Sequence, residues 1–201
     1  MKTVLLAMAL AMPCTAAITL HAQPGRAANL PSPGRKADAT VGKAQISVDY
    51  GAPSLKGRKA AGGELMPYNT WWRTGANEAT SFETTGDINV GNLHVPAGKY
   101  TLVTLPSESQ WQLVICKHTG QWGTDRFEAD DLGKVPMMKA ALSAPQEIMS
   151  IGFEKTTGKG TQMHIKWETT DVWVPITTTT RASMRFDAPG PGKMQPLTAA
   201  R

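Results

Sequence analysis

The stretch GTQMHIKWE (residues 160–168) decides the fold class, because its apolar side chains recur at every second position. Met163, Ile165 and Trp167 fall on one face and His164 and Lys166 on the other. A helix needs an apolar spacing near 3.6, so this pattern predicts a half-buried β-strand with His164 and Lys166 facing outward. The same alternation recurs on either side of it. AQISVDYG (44–51) puts Ile46, Val48 and Tyr50 on one face. QWQLVICK (110–117) puts Trp111, Leu113 and Ile115 on one face and Val114 and Cys116 on the other, which predicts a central strand covered on both sides. DINVGNLHVPAGKYTLVTLP (87–106) reads as short strands around a Gly91-Asn92 turn, then a turn at Pro96 to Gly98 and a longer strand. DVWVPI (171–176) closes the set, with Trp173 out of phase with Val172 and Val174, in a second packing layer or on an exposed platform. Only DDLGKVPMMKAALSAP (130–145) suggests a helix or an extended loop, held to about two turns by Pro136 and Pro145. The expected fold is one all-β domain, an antiparallel β-sandwich of jelly-roll-like or related type over residues 36–176, with at most one short helix.

The two ends read differently. Lys2, the apolar run Val4 to Met12 and the segment Leu20-His21-Ala22 before Gln23 have the layout of a secretory signal peptide, residues 1–22, too short for a membrane span. Pro13 immediately before Cys14 argues against a lipobox. The expected location is therefore exported, periplasmic or extracellular. A Pro/Gly/Ala-rich leader follows over 23–35, and residues 177–201 form a biased tail with a possible short strand near Met184 to Phe186. No later segment is apolar enough to cross a bilayer. Without the signal segment one cysteine remains, Cys116, so stability is expected from the core rather than from a disulfide.

The net charge of +5 does not point to nucleic acid. Of the 21 Lys and Arg and 16 Asp and Glu, six cations (Lys2, Arg26, Arg181, Arg185, Lys193, Arg201) and one acid (Asp187) lie outside 30–176, leaving that region balanced at 15 against 15. A nucleic-acid binder carries its charge on the folded face.

Several familiar chemistries lack their residues. LKGRKAAGGEL (55–65) has no Gly-Lys-Ser/Thr ending, and PAGKYTL (96–102) has tyrosine where that hydroxyl belongs, so neither is a phosphate loop. There is no Gly-x-Ser-x-Gly elbow, and Cys116 lies mid-strand, where a small buried hydrophobe is the simpler role. His94, His118 and His164 sit on separate segments without metal-ligand spacing, so no metal and no cofactor are expected. Asp130 and Asp131 read as solvated surface.

Trp111 and Trp167 are in phase with their strands and read as core, whereas Trp122, in the loop TGQWGTD (119–125), is a candidate for stacking on a ligand. The segment PYNTWWRTGANEAT (67–80) concentrates Arg73, Asn77 and Glu78 around Gly75. Such a fork of donors, amide and carboxylate can clasp a polar ligand, or can tie a loop to the start of a strand. It is a site if Arg73 and Glu78 are partly exposed in a cleft, and a plug if they are buried against each other.

The segments ISVDYGAPSLKGRKAAGGELMPYNTWWRTGANEAT (46–80), VPAGKYTLVTLP (95–106), WQLVICK (111–117), QWGTD (121–125) and the closing IKWE and VPI, in this order, resemble the bacterial exported proteins grouped as domain of unknown function 2911. The resemblance covers residues 41–176 and implies an exported or periplasmic β-rich domain with no established activity. Its motif positions fall here on Tyr50, Pro53, Lys56, Gly57, Arg58, Pro67, Tyr68, Trp72, Arg73, Gly75, Asn77, Glu78 and Thr80; the tail after Ile176 departs from the pattern. The expected function is a non-catalytic binding module of the cell envelope, taking a polar small molecule, glycan or peptide through Lys56, Arg58, Tyr68, Trp72, Arg73, Asn77, Glu78 and Trp122. One alternative is a hydrolase or isomerase with Glu78 as general base and Lys56 or Arg58 stabilising a developing anion. Another is a structural partner in an envelope assembly, should Trp173 form part of an exposed apolar patch. The oligomeric state is not legible in the sequence.

Overall fold

The computed structural model describes residues 32–179. The expected signal segment, most of the leader and most of the tail, with the strand near Met184 to Phe186, lie outside them. Among the described residues the period-2 segments form ten strands: β1 (Gly34–Val41), β2 (Ala44–Gly51), β3 (Ala76–Thr84), β4 (Ile88–Val90), β5 (Leu93–Val95), β6 (Gly98–Leu105), β7 (Gln112–Cys116), β8 (Asp131–Pro136), β9 (Met138–Glu154) and β10 (Gly160–Thr178). β1 begins inside the expected leader, and β10 runs past Ile176.

Two antiparallel sheets pack together, one of order β1-β2-β3-β6-β7-β8 and one of order β5-β4-β10-β9. The alternating apolar residues meet between them. Ile46, Val48, Phe82, Leu102, Leu113 and Ile115 come from the first sheet, and Ile88, Val90, Met149, Ile151, Met163 and Val174 from the second. Each such side chain contributes about 1.5–3 kcal/mol by leaving water. β7 is covered on both faces, with Val114 and Cys116 also buried.

The helix or extended loop expected over 130–145 is corrected: these residues form β8 and the start of β9, and among the described residues the helical content is a single 3-10 turn at Glu128–Asp130. Val135 pairs with Leu113, and the Met137 amide bonds to the Trp111 carbonyl. Partner strands outweigh the helix preference of an Ala- and Leu-rich segment, and Pro136 is tolerated because β8 lies at the sheet edge.

β10 is sharply bent. His164 Nδ1 lies 2.8 Å from Asp171 Oδ1, and its ring stacks on Trp173 at 5.4 Å. A straight strand would hold residues 164 and 171 about 23 Å apart. The bend falls at Glu168, whose φ is +54°, where the register with β9 also shifts. The bend corrects the orientation expected for His164, which is 6% exposed, folded between the two arms of its own strand. Trp173 therefore belongs to a packing layer. Lys166 completes the cluster, bonding Glu154 and standing 3.8 Å from Asp171.

The edge of β9 away from β10 is closed by the chain that leaves β2. Leu55 N bonds Glu147 O, Met149 N bonds Pro53 O, and the buried Tyr50 hydroxyl accepts from Ile151 N at 2.9 Å while donating to Ile151 O at 3.3 Å. Burial also pushes the Tyr50 phenol up, so it stays protonated.

Candidate functional site

The segment 72–80 joins β6 to β3 by an indirect route. Trp72 pairs with Thr104 and Thr80 with Leu102, so positions two apart on β6 face residues eight apart on the incoming chain. The excess is taken up in a loop with two left-handed residues, Thr74 (φ +57°) and Asn77 (φ +65°). That conformation is costly for a β-branched threonine. Hydrogen bonds hold it: Thr74 Oγ1 donates to Trp72 O at 3.3 Å, and Thr80 Oγ1 donates to Thr74 O at 2.9 Å. Arg73 Nε donates to Gly75 O, and Asn77 Nδ2 to Ser32 O.

The loop 119–123 is laid along this segment as a short added strand. Ala79 N bonds Gln121 O, Gly123 N bonds Asn77 O, and Trp122 stands opposite Glu78. Gly123 is required there, since a methyl group would press on the Asn77 carbonyl and on the Arg73 side chain. Residues directly opposite in an antiparallel pair share a face. The Trp122 side chain therefore lies on the same side as Glu78, and it is 47% exposed. Beside the pair is a recess of about 320 Å³ lined by Glu78, Ser81, Lys99, Thr101, Thr119 and Gln121. Gln121 Nε2 donates to Thr101 Oγ1 at 3.3 Å, while its Oε1, shielded from solvent, has no hydrogen-bond partner among the described residues.

After Gln121 and Trp122, the chain covers the outer side of β7. His118 stacks on Phe127 and bonds Asp130 at 3.1 Å. Arg126 clasps Asp131 through two bonds of 2.8 and 2.6 Å. The Asp131 side chain is only 13% exposed, which corrects its reading as solvated surface. Beneath this cover burial pushes the Cys116 thiol up, and the thiol donates to Phe127 O.

The structure divides the residues expected from the sequence. Glu78 and Trp122 stand opposite each other, Glu78 lining the recess, and the half-buried Arg73 and Asn77 side chains bond to backbone. Trp72 is 8% exposed and stacks on Trp167 at 5.7 Å, inside the core. Lys56, Arg58 and Tyr68 belong to the chain between β2 and β3. The Lys56 amide bonds Glu147, Arg58 turns back onto Leu55 O and Ser54 O, and the Tyr68 ring lies over Gly62. Tyr68 lines a separate open recess of about 580 Å³ with Lys59, Lys139 and Glu168. The three histidines stand apart, each beside a different carboxylate: Asp87, Asp130 and Asp171.

Ser81, Lys99, Thr101 and Gln121 were missed as site residues. Their outward positions follow from strand alternation, but that β3, β6 and the loop 119–123 lie side by side does not. Chemically the recess offers hydroxyls, an amide and the Glu78 and Lys99 side chains, with the exposed Trp122 outside its lining. No histidine or second carboxylate lines it beside Glu78 among the described residues.

A family model described as "Protein of unknown function (DUF2911)" matches residues 32–176. No curated protein and no solved structure matches the chain.

Proposed function

The chain belongs to the DUF2911 family, whose description names no activity, and from that premise we propose a non-catalytic binding module that takes a polar ligand with a flat, weakly polar face, such as a sugar ring, at the Glu78–Trp122 recess. One observation carries this reading: a half-exposed tryptophan held by backbone pairing opposite Glu78, which itself lines the recess. An indole left in water by a folded chain is well suited to cover the apolar face of a ring, while hydroxyls and amides meet its substituents. The hydroxyls and amide of the lining, Ser81, Thr101, Thr119 and Gln121, suit recognition of a polar ligand. Export, expected from segment 1–22, would set this ligand in the cell envelope.

Calorimetric titration of the protein with cell-envelope glycans and peptides, repeated with Trp122→Ala, tests the proposal. The expected result is saturable binding that Trp122→Ala abolishes while unfolding free energy stays within about 0.5 kcal/mol of the parent. Binding that is indifferent to Trp122, or none across the panel, would sink it.

A further inference from the structure

The outer face of the six-stranded sheet carries another recess, of about 640 Å³, next to the first. Register places its residues. Asp38 of β1 stands opposite Ser47 of β2, Ser47 opposite Glu83 of β3, and Glu83 opposite Lys99 of β6. This unbroken row crosses four strands on one face. Glu83 lines the second recess and Lys99 the first, and the two side chains form an ion pair at 3.3 Å. The recesses therefore adjoin at that pair. Along β3 the floor extends from Thr85 to Glu78, about 23 Å at the rise of a strand. That is far longer than one ring needs.

The charge and chemistry of the floor select among long ligands. Both lysines are already matched, Lys36 to Asp38 and Lys99 to Glu83, each at 3.3 Å. No cation lining the two recesses is left over for a row of phosphates or carboxylates. The remaining polar groups are hydroxyls and amides, among them Thr40, Ser47, Ser81, Thr101, Gln45 and Gln121. Hydroxyl-rich ligands satisfy such groups, whereas a peptide's side chains would need apolar pockets that this polar floor does not supply.

We propose that the two recesses are consecutive subsites of one trough that binds a linear, uncharged polysaccharide. This rests on the reading of the Glu78–Trp122 recess as a binding site. The test is calorimetry of the whole protein with neutral gluco-oligosaccharides and chito-oligosaccharides of increasing length, from disaccharide to hexasaccharide. Two or three added hydrogen bonds correspond to an affinity gain of at least about tenfold along the series. Lys36→Ala combined with Gln45→Ala is expected to lower the ratio of hexasaccharide to disaccharide affinity by about the same factor. Equal affinity for disaccharide and hexasaccharide overturns the trough and leaves the single recess standing. Failure of every neutral oligomer, or tighter binding of polyuronate oligomers or peptides, overturns the polysaccharide assignment. Binding that is length-dependent but unaffected by the double variant places the extra subsites elsewhere and overturns it too.

Discussion

Tyr50→Phe removes one oxygen from the interior and tests how the two sheets are joined. The Tyr50 side chain is fully buried, and its hydroxyl is the partner of both backbone groups of Ile151 on the far sheet. Without it the Ile151 N–H, now bonded at 2.9 Å, is left in the core, a loss of about 1–3 kcal/mol. The longer bond to Ile151 O, at 3.3 Å, adds about 0.5–1 kcal/mol, since a carbonyl tolerates an unfilled lone pair better. The expected cost is about 2–4 kcal/mol, a large share of a domain's stability of about 5–15 kcal/mol. Urea melts followed by tryptophan fluorescence measure it. With a slope of about 1–3 kcal/mol per molar, the midpoint should fall by about 1–2 M with the slope unchanged. Tyr100→Phe is the internal control, because that hydroxyl makes a single bond to Pro96 O at a partly buried position and should cost about 0.5–1.5 kcal/mol. If Tyr50→Phe costs no more than Tyr100→Phe, the hydroxyl bridge between the sheets is refuted.

A methyl on Gly51 would overlap the Ala76 carbonyl, which cannot move without breaking the pairing of β2 and β3, so Gly51→Ala should cost about 3 kcal/mol or more in a denaturant melt. Gly152→Ala meets only open space and should change stability by less than about 1 kcal/mol, in the stabilising direction. The hydrogen bond from Lys166, aided by the nearby His164 and opposed by burial, holds the Glu154 carboxyl below its ordinary range. A carboxyl depressed on folding stabilises fully above its unfolded value, and the contribution is lost as pH falls through the folded value. Lys166→Met should therefore flatten the decline in melting temperature between about pH 5 and pH 3; parallel curves for variant and parent would contradict this. Cys116, buried with its thiol pushed up, should resist a thiol-specific reagent at neutral pH in the native protein and react promptly in denaturant. Prompt native labelling would show that the loop 117–130 opens.

The strands were legible where a short alternating run belonged to one face, as in 44–51 and 160–167. The segment 130–145 was misread because nothing local distinguishes an Ala- and Leu-rich edge strand from a short helix; the difference lies in β7 and β10, which it meets only after folding. The bend at Glu168 was invisible for a related reason, since a left-handed glutamate has no sequence signature. At the site, exposed Trp122 was legible from its place between turn residues. Trp72 was read as part of the ligand-binding set, whereas its position opposite Thr104 turns it onto Trp167 in the core. In the segment 67–80, Arg73, Thr74, Thr80 and Asn77 make hydrogen bonds that hold the loop, and Glu78 is among the residues lining the recess. The row from Asp38 to Lys99 depends on registers between strands distant in sequence, which no single stretch encodes.

The bent strand β10 also governs the order of folding. It lies between β4 and β9, pairing Ile176 with Val90 and Ile165 with Ile151, so the four-stranded sheet has no continuous middle until the last strand of the domain is in place. The first sheet can assemble before it, with only the β3–β6 pairing skipping over β4 and β5, but its apolar face stays uncovered until then. Closure of such distant contacts is slow relative to local hairpins. A chain halted before β10 would thus be a half-built sheet with a bare core face, prone to aggregate, and the native state should form in one late, all-or-none step rather than strand by strand.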